Sequence, residues 1–242
     1  MTDNKVILYD LPSKGRRACW SLNPWKTRLA LNFKGIPYET QWVEYPEIAP
    51  LFKSFGLAPQ EGEITPYTIP AVRTPDGKHI MNSVPIAQAL ETLKPEPSLH
   101  LNDPVLERIN GLTGETLMAL VAVVLPPIPR DILNDASVPY FEETRAKVFG
   151  SPLAELEKTK GGEPAWEAAR PLFAKAGEEL RKVPGPFFLG ETVSYADFVY
   201  VGLIEFIRRT KGIEDYNRIV GWEKEIGVLY DACAKWLARD DH

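Results

Sequence analysis

Thr68-Ile69-Pro70-Ala71-Val72 is followed ten residues later by Asn82-Ser83 and then by an apolar-periodic run from Val84. A proline opening a strand, with a short polar pair at the start of the next helix, suits capture of an extended, peptide-like ligand. The residue before such a proline is held extended, so Ile69 can turn its N–H and C=O outward for antiparallel pairing. The Ile69-Pro70 bond is a candidate for the cis isomer, which costs only ~0.5–1 kcal/mol before proline. Asn82 and Ser83 then offer a carboxylate two short side chains and the bare N–H groups of a helix start.

Working outward, Val6-Ile7-Leu8-Tyr9 reads as a strand, Trp25 to Phe33 as a helix and Tyr38 to Val43 as a second strand. Ala71 to Arg73 and His79 to Met81 flank the turn Pro75-Asp76-Gly77, and a helix is predicted from Val84 to Leu93. The segment from Tyr45 to Tyr67 reads as a long loop rich in Pro, Gly and aromatic residues. Lys94-Pro95-Glu96-Pro97-Ser98 supports neither helix nor sheet. This predicts a first domain over residues 1–94, a linker over 95–103, and an all-helical second domain over 104–242. Within the latter, Leu125-Pro126-Pro127-Ile128-Pro129 must break the helix that begins near Pro104. Ser194-Tyr195-Ala196-Asp197 is a capping box that should nucleate a helix from Tyr195 to about Arg209.

Composition narrows the classes. In 242 residues, 44% hydrophobic content supports a real core, and 28 basic against 33 acidic side chains leave a net charge of −5. No broad basic surface is expected to attract nucleic acid or anionic lipid. The start lacks a basic-then-apolar leader, and no apolar run approaches the ~20 residues of a membrane span, so the cytoplasm is the expected location. Cys19 and Cys233, far apart in the chain, exclude a Cys-x-x-Cys redox or zinc motif, and no metal site is expected.

A small βαβ-ββα unit with Ile69-Pro70 before a strand and Asn82-Ser83 at a helix start, then helices with Ser194 to Asp197 capping one of them, resembles a cytosolic glutathione transferase. The resemblance covers essentially the whole chain. It implies a thioredoxin-like N-terminal domain that holds glutathione and a helical C-terminal domain that walls a second, usually apolar, substrate. Trp20-Ser21-Leu22-Asn23-Pro24-Trp25-Lys26-Thr27-Arg28 is similar to the etherase-related, Ser-type group known from lignin-degrading fungi. Ser21 falls where that group keeps its catalytic serine. The resemblance further implies a homodimer, with the N-terminal domain of one subunit against the helical domain of the other.

Glutathione's thiol is a weak nucleophile until it becomes the thiolate, so hydrogen-bond donors and positive potential beside the sulfur are what such a protein must supply. Ser21 can donate its hydroxyl, Asn23 an amide N–H, and the helix beginning near Pro24 its N-terminal dipole. Asn23 also reads as the helix N-cap, with Pro24 at the first helical position. Ile69, Pro70, Asn82 and Ser83 make the expected tripeptide site, with Lys53 or Gln60 for its glycine carboxylate. Most members carry an acid where Asn82 stands, so an amide here alters how the γ-glutamyl ammonium is met. Arg16 and Arg17 are candidates for drawing in the anionic tripeptide. Trp20, Trp25, Met118, Val121 and Leu125 are the expected wall for flat aromatic electrophiles. Two other readings stay open: a ligandin that carries phenolic molecules without turning them over, and a deglutathionylase using Cys19. The latter is the weaker, since a catalytic cysteine would be expected at position 21.

Overall fold

The computed structural model describes residues 5–62 and 64–241. Strand β1 (Val6–Asp10) is almost wholly buried and lies inside a four-stranded sheet of order β2-β1-β3-β4. Its near-continuous apolar run is what a strand covered on both faces requires. Helix α1 (Leu22–Lys34) is the crossover that lets β2 (Tyr38–Trp42) run parallel to β1. Gly35, at φ 60°, ends α1 by donating its N–H to the carbonyls near the helix C-terminus. The Arg28 guanidinium and the Asp10 carboxylate, both fully buried, pair at 2.8 Å and tie α1 to the end of β1.

The segment expected to be a loop from Tyr45 onward instead begins as helix α2 (Tyr45–Ser54). Two prolines hid it. Pro46 sits in the first turn, where a missing N–H costs nothing, and Glu44 and Glu47 form a reciprocal capping box that offsets Pro50 inside the helix. Strands β3 (Ala71–Arg73) and β4 (His79–Met81) then form an antiparallel hairpin on the far side of β1, and α3 (Ser83–Leu93) packs back against α1.

The rest is helical: α4 (Pro104–Val124), α5 (Pro127–Asp131), α6 (Val138–Phe149), α7 (Leu153–Lys160), α8 (Glu163–Arg181), α9 (Tyr195–Lys211), α10 (Ile213–Trp222), α11 (Lys224–Ala232) and α12 (Ala234–Leu237). The Asp103 carboxylate caps α4 by accepting the Val105 N–H at 2.9 Å, and the proline run after Val124 turns the chain into α5 and α6. Helix α9 is the hub, buried along nearly its whole length and packed against both α1 and α4. Its capping box forms, and the Asp197 carboxylate accepts the N–H groups of Ser194 at 2.7 Å and Phe188 at 2.9 Å. Burial pushes that carboxyl up to about 6 against the pull of these bonds. At Gly202 the two helices come so close that a Cβ would lie 3.3 Å from the Leu22 carbonyl oxygen and 3.5 Å from Trp25 Cβ. This contact fixes the start of α1, and with it Ser21, against the helical domain.

Candidate functional site

Ser21, not Asn23, is the N-cap of α1: its backbone is extended, with φ −84° and ψ 141°, and its carbonyl accepts the Trp25 N–H at 3.2 Å. Pro24 is thus the third helical residue and Asn23 the second, exposed and facing the same opening. The expected cap was displaced because Pro24 fits anywhere in a first turn, so it does not fix which preceding residue caps. The Ser21 hydroxyl makes no cap bond to its own helix. It stays available to a ligand in the half-buried position where α1 points its N-terminal dipole.

The loop leading to Ser21 is held at several points. The Cys19 N–H donates to the Asp240 carbonyl at 2.8 Å, the Lys14 N–H to the Ile132 carbonyl at 2.7 Å, and the Arg16 guanidinium pairs with the Asp240 carboxylate. Arg16 is thereby committed to the C-terminal segment rather than to a ligand, while Arg17 is exposed. Cys19 is fully buried, and desolvation and the nearby Asp10 push its thiol well above the ordinary range. Such a thiol stays protonated and enclosed, the opposite of what a cysteine nucleophile needs.

A cavity of about 230 Å³ opens at Ser21 and Asn23, floored by Leu11, Tyr67 and Ile69 and walled on the other side by Tyr140 and Arg145 of α6. A larger groove of about 610 Å³ beside α3 and the segment before α4 has neither Ser21 nor Ile69 in its lining. The Ile69-Pro70 bond is cis, and among the described residues neither the N–H nor the C=O of Ile69 has a hydrogen-bond partner. Behind this open edge, Thr68 Oγ1 donates to Asn82 Oδ1 at 3.0 Å, Asn82 Nδ2 to Gln60 Oε1 at 3.2 Å and Gln60 Nε2 to Thr68 Oγ1 at 3.1 Å. This closed amide and hydroxyl triad surrounds Asn82, whose φ 77° and ψ 137° fall outside the left-handed helical region that asparagine tolerates, and presents Asn82 and Ser83 at the start of α3. Gln60 therefore belongs with Asn82. Lys53 is exposed, with its ammonium 5.8 Å from the centre of the Tyr67 ring.

The residues expected to wall a second substrate lie outside this cavity. Trp25 is fully buried against α9, and Trp20 is buried with its ring 6.4 Å from Phe206. Large rings next to Ser21 went into the interdomain core because burying them stabilises the seam more than lining a wet cleft. Met118 is 60% exposed, and Val121 and Leu125 are half-buried; none of the five lines the cavity. The wall of this cavity comes instead from Tyr45 and Ile48 of α2 and from Tyr140 and Arg145 of α6. Stacked Tyr45 and Tyr140 rings, 5.8 Å apart at 19°, form a flat face there. Burial pushes the Tyr45 hydroxyl up to about 12, with the Arg145 guanidinium beside it pulling the other way. The polar contacts that hold α6 in place run from Glu44: its carboxylate accepts the Asn134 amide at 2.8 Å and the Ser137 hydroxyl, which in turn accepts the Tyr45 N–H at 2.9 Å. Among the described residues no group of three or more His, Cys, Asp or Glu side chains can hold a metal ion, and no helix is long and apolar enough to cross a membrane.

Comparison with known proteins accords with this geometry. Residues 20–93 match the family described as glutathione S-transferase, N-terminal domain, and residues 110–236 match glutathione S-transferase, C-terminal domain. The glutathione S-transferase-like protein ustS of Aspergillus flavus is 33% identical, with 92% of this chain and 87% of that protein covered. A glutathione S-transferase of Ceriporiopsis subvermispora, solved in complex with glutathione, superposes with a TM-score of 0.86 at 32% identity, covering 96% of this chain and 98% of its own. Glutathione transferase GSTFuA3 from Phanerochaete chrysosporium gives 0.85 at 27% identity, covering 96% and 97%. Two domain matches that together take in the Ile69 edge and the α9 capping box, and relatives aligned over almost their whole length, mean that this chain belongs to the glutathione S-transferase family.

Proposed function

We propose that this chain is a serine-type glutathione transferase that steadies the glutathione thiolate with the Ser21 hydroxyl for attack on aromatic electrophiles. One observation carries the reading: a hydroxyl unused by its own helix and an unpaired Ile69 backbone open into the same cavity. Glutathione lies extended along Ile69 and Pro70, with its γ-glutamyl end toward Asn82 and Ser83 and its glycine carboxylate toward Lys53. The Asn82 amide accepts from the ammonium without adding charge. One charge-assisted hydrogen bond to the sulfur, worth ~1.5–3 kcal/mol, lowers the thiol pKa by about one to two units. The Asn23 side chain stands at the same mouth. In an etherase-like turnover the sulfur–carbon bond forms as the carbon–oxygen bond breaks, the bonding pair leaves with the phenoxide, and the thiol proton passes to solvent. The cytoplasm, where glutathione is kept reduced, is the location that fits this reading.

A homodimer fits this reading, because Val84 of α3 and Met118 of α4 leave apolar side chains exposed, one on each domain. Retention on immobilised glutathione, with elution by the free tripeptide, tests the binding half of the proposal. Ser21→Ala should keep that retention and lose conjugation activity by ten- to a hundredfold. Tight binding of phenolic compounds with no turnover, equal in both proteins, would instead establish a ligandin.

A further inference from the structure

Arg145 is the only charged side chain among the described residues that line the Ser21 cavity, and none of those residues is acidic. Arg28, Arg181, Arg209 and Arg218 each meet a carboxylate within 3.0 Å, whereas Arg145 has no ion-pair partner among the described residues. Its guanidinium lies 4.4 Å from the centre of the Phe141 ring and 5.5 Å from that of Tyr45, donates to Thr144 Oγ1 at 3.0 Å and faces the Tyr45 hydroxyl. A half-buried guanidinium stacked on rings, with most of its five donors unspent, is built to take a planar oxyanion in a forked pair of hydrogen bonds.

The geometry points to a second-substrate subsite for an aromatic carboxylate, its acid group on Arg145 and its ring against the Tyr45 and Tyr140 face. The inference rests on Ser21 holding the glutathione sulfur. An anion entering a cavity that already holds a thiolate meets like-charge repulsion, and Arg145 is the group placed to offset it. The site therefore selects for acids over their neutral counterparts of equal size.

The test uses chloronitrobenzoic acid and the neutral amide of the same acid as electrophiles, with glutathione as the thiol. In each reaction a sulfur–carbon bond forms, chloride leaves with the bonding pair, and the thiol proton goes to buffer. Wild type, Arg145→Gln and Arg145→Lys are compared, with thermal melting as the check on folding. Arg145→Gln should lower kcat/KM for the acid by about ten- to a hundredfold. The amide should change less than about threefold, the KM for glutathione should hold, and Arg145→Lys should recover part of the loss. Equal loss with acid and amide would overturn the inference, as would a rise in the glutathione KM with the acid-to-amide ratio unchanged, which would put the tripeptide's own carboxylate on Arg145. If wild type retains glutathione but conjugates neither compound, fluorescence titration of the acid decides: weaker binding to Arg145→Gln supports the subsite and unchanged binding refutes it. Failure of wild type to bind glutathione would instead sink the Ser21 reading.

Discussion

Where α1 crosses α9 the two domains touch through closely packed backbone and rings, whereas where α2 meets α6 a carboxylate, an amide and a hydroxyl join the ring contacts. The first contact has no room to move: Gly202 abuts the Leu22 carbonyl and Trp25, and the rings of Phe33, Phe198 and Trp236 interlock within 5.2–5.6 Å of one another. The second is a polar clasp beside the cavity, with Glu44 and Asn134 half-buried and Ser137 buried. The division suits the proposed chemistry. The sulfur site at Ser21 rides on the rigid seam, and the wall that meets the variable substrate rides on the clasp, the kind of element that opens at lower cost.

Breaking the seam should have the largest effect. Gly202→Leu forces a branched side chain between α1 and α9, and overpacking of this kind costs ~1–3 kcal/mol or more. We expect the melting temperature to fall by roughly 5–10 °C, with conjugation falling in step as Ser21 shifts. Retained stability would mean that the helices part easily. The clasp should be more forgiving: Glu44→Ala leaves Asn134 and Ser137 without their shared acceptor and removes the α2 cap. A loss of ~1–2 kcal/mol is expected, accompanied by a changed KM for the electrophile and an unchanged KM for glutathione. A larger stability loss than that of Gly202→Leu would reverse the ranking of the two contacts.

The smallest effect sharpens the account of the seam helix itself. Lys26 of α1 is half-buried, and desolvation pushes its ammonium down to about 8 from 10.5. Between those values the unfolded chain holds a proton that the folded chain has lost, so stability should rise with pH across that window. Below pH 8 the folded state carries a charged lysine at a desolvation cost. Lys26→Met should therefore raise the melting temperature at pH 7 by a few degrees and flatten the rise between pH 8 and 10. A flat wild-type profile would show that the ammonium reaches water freely.

Much of this was legible in the chain. Cis-Pro70, the helix start at Asn82 and Ser83 and the capping box at Ser194 are set by local chemistry within a few residues, and each stands where the sequence predicts it. Helix α2 was hidden because Pro46 and Pro50 look like breakers when the Glu44 and Glu47 cap goes unseen. The residues expected to wall a second substrate fall outside the cavity for a different reason. Trp20 and Trp25 look the same in sequence whether they line a cleft or fill a core, and only packing in space decides, Trp25 at Gly202 and Trp20 against Phe206. Arg145 was invisible because its importance comes from what surrounds it in space: rings on two elements and no carboxylate.

The account as a whole turns on the sulfur. Ultraviolet absorbance of the thiolate of bound glutathione, titrated against pH in wild type and in Ser21→Ala at saturation, reads it directly. We predict a thiol pKa about one to two units below that of free glutathione in wild type, and a return toward the free value in the variant. The same depressed pKa in both proteins, or no depression in either, would contradict the role given to Ser21.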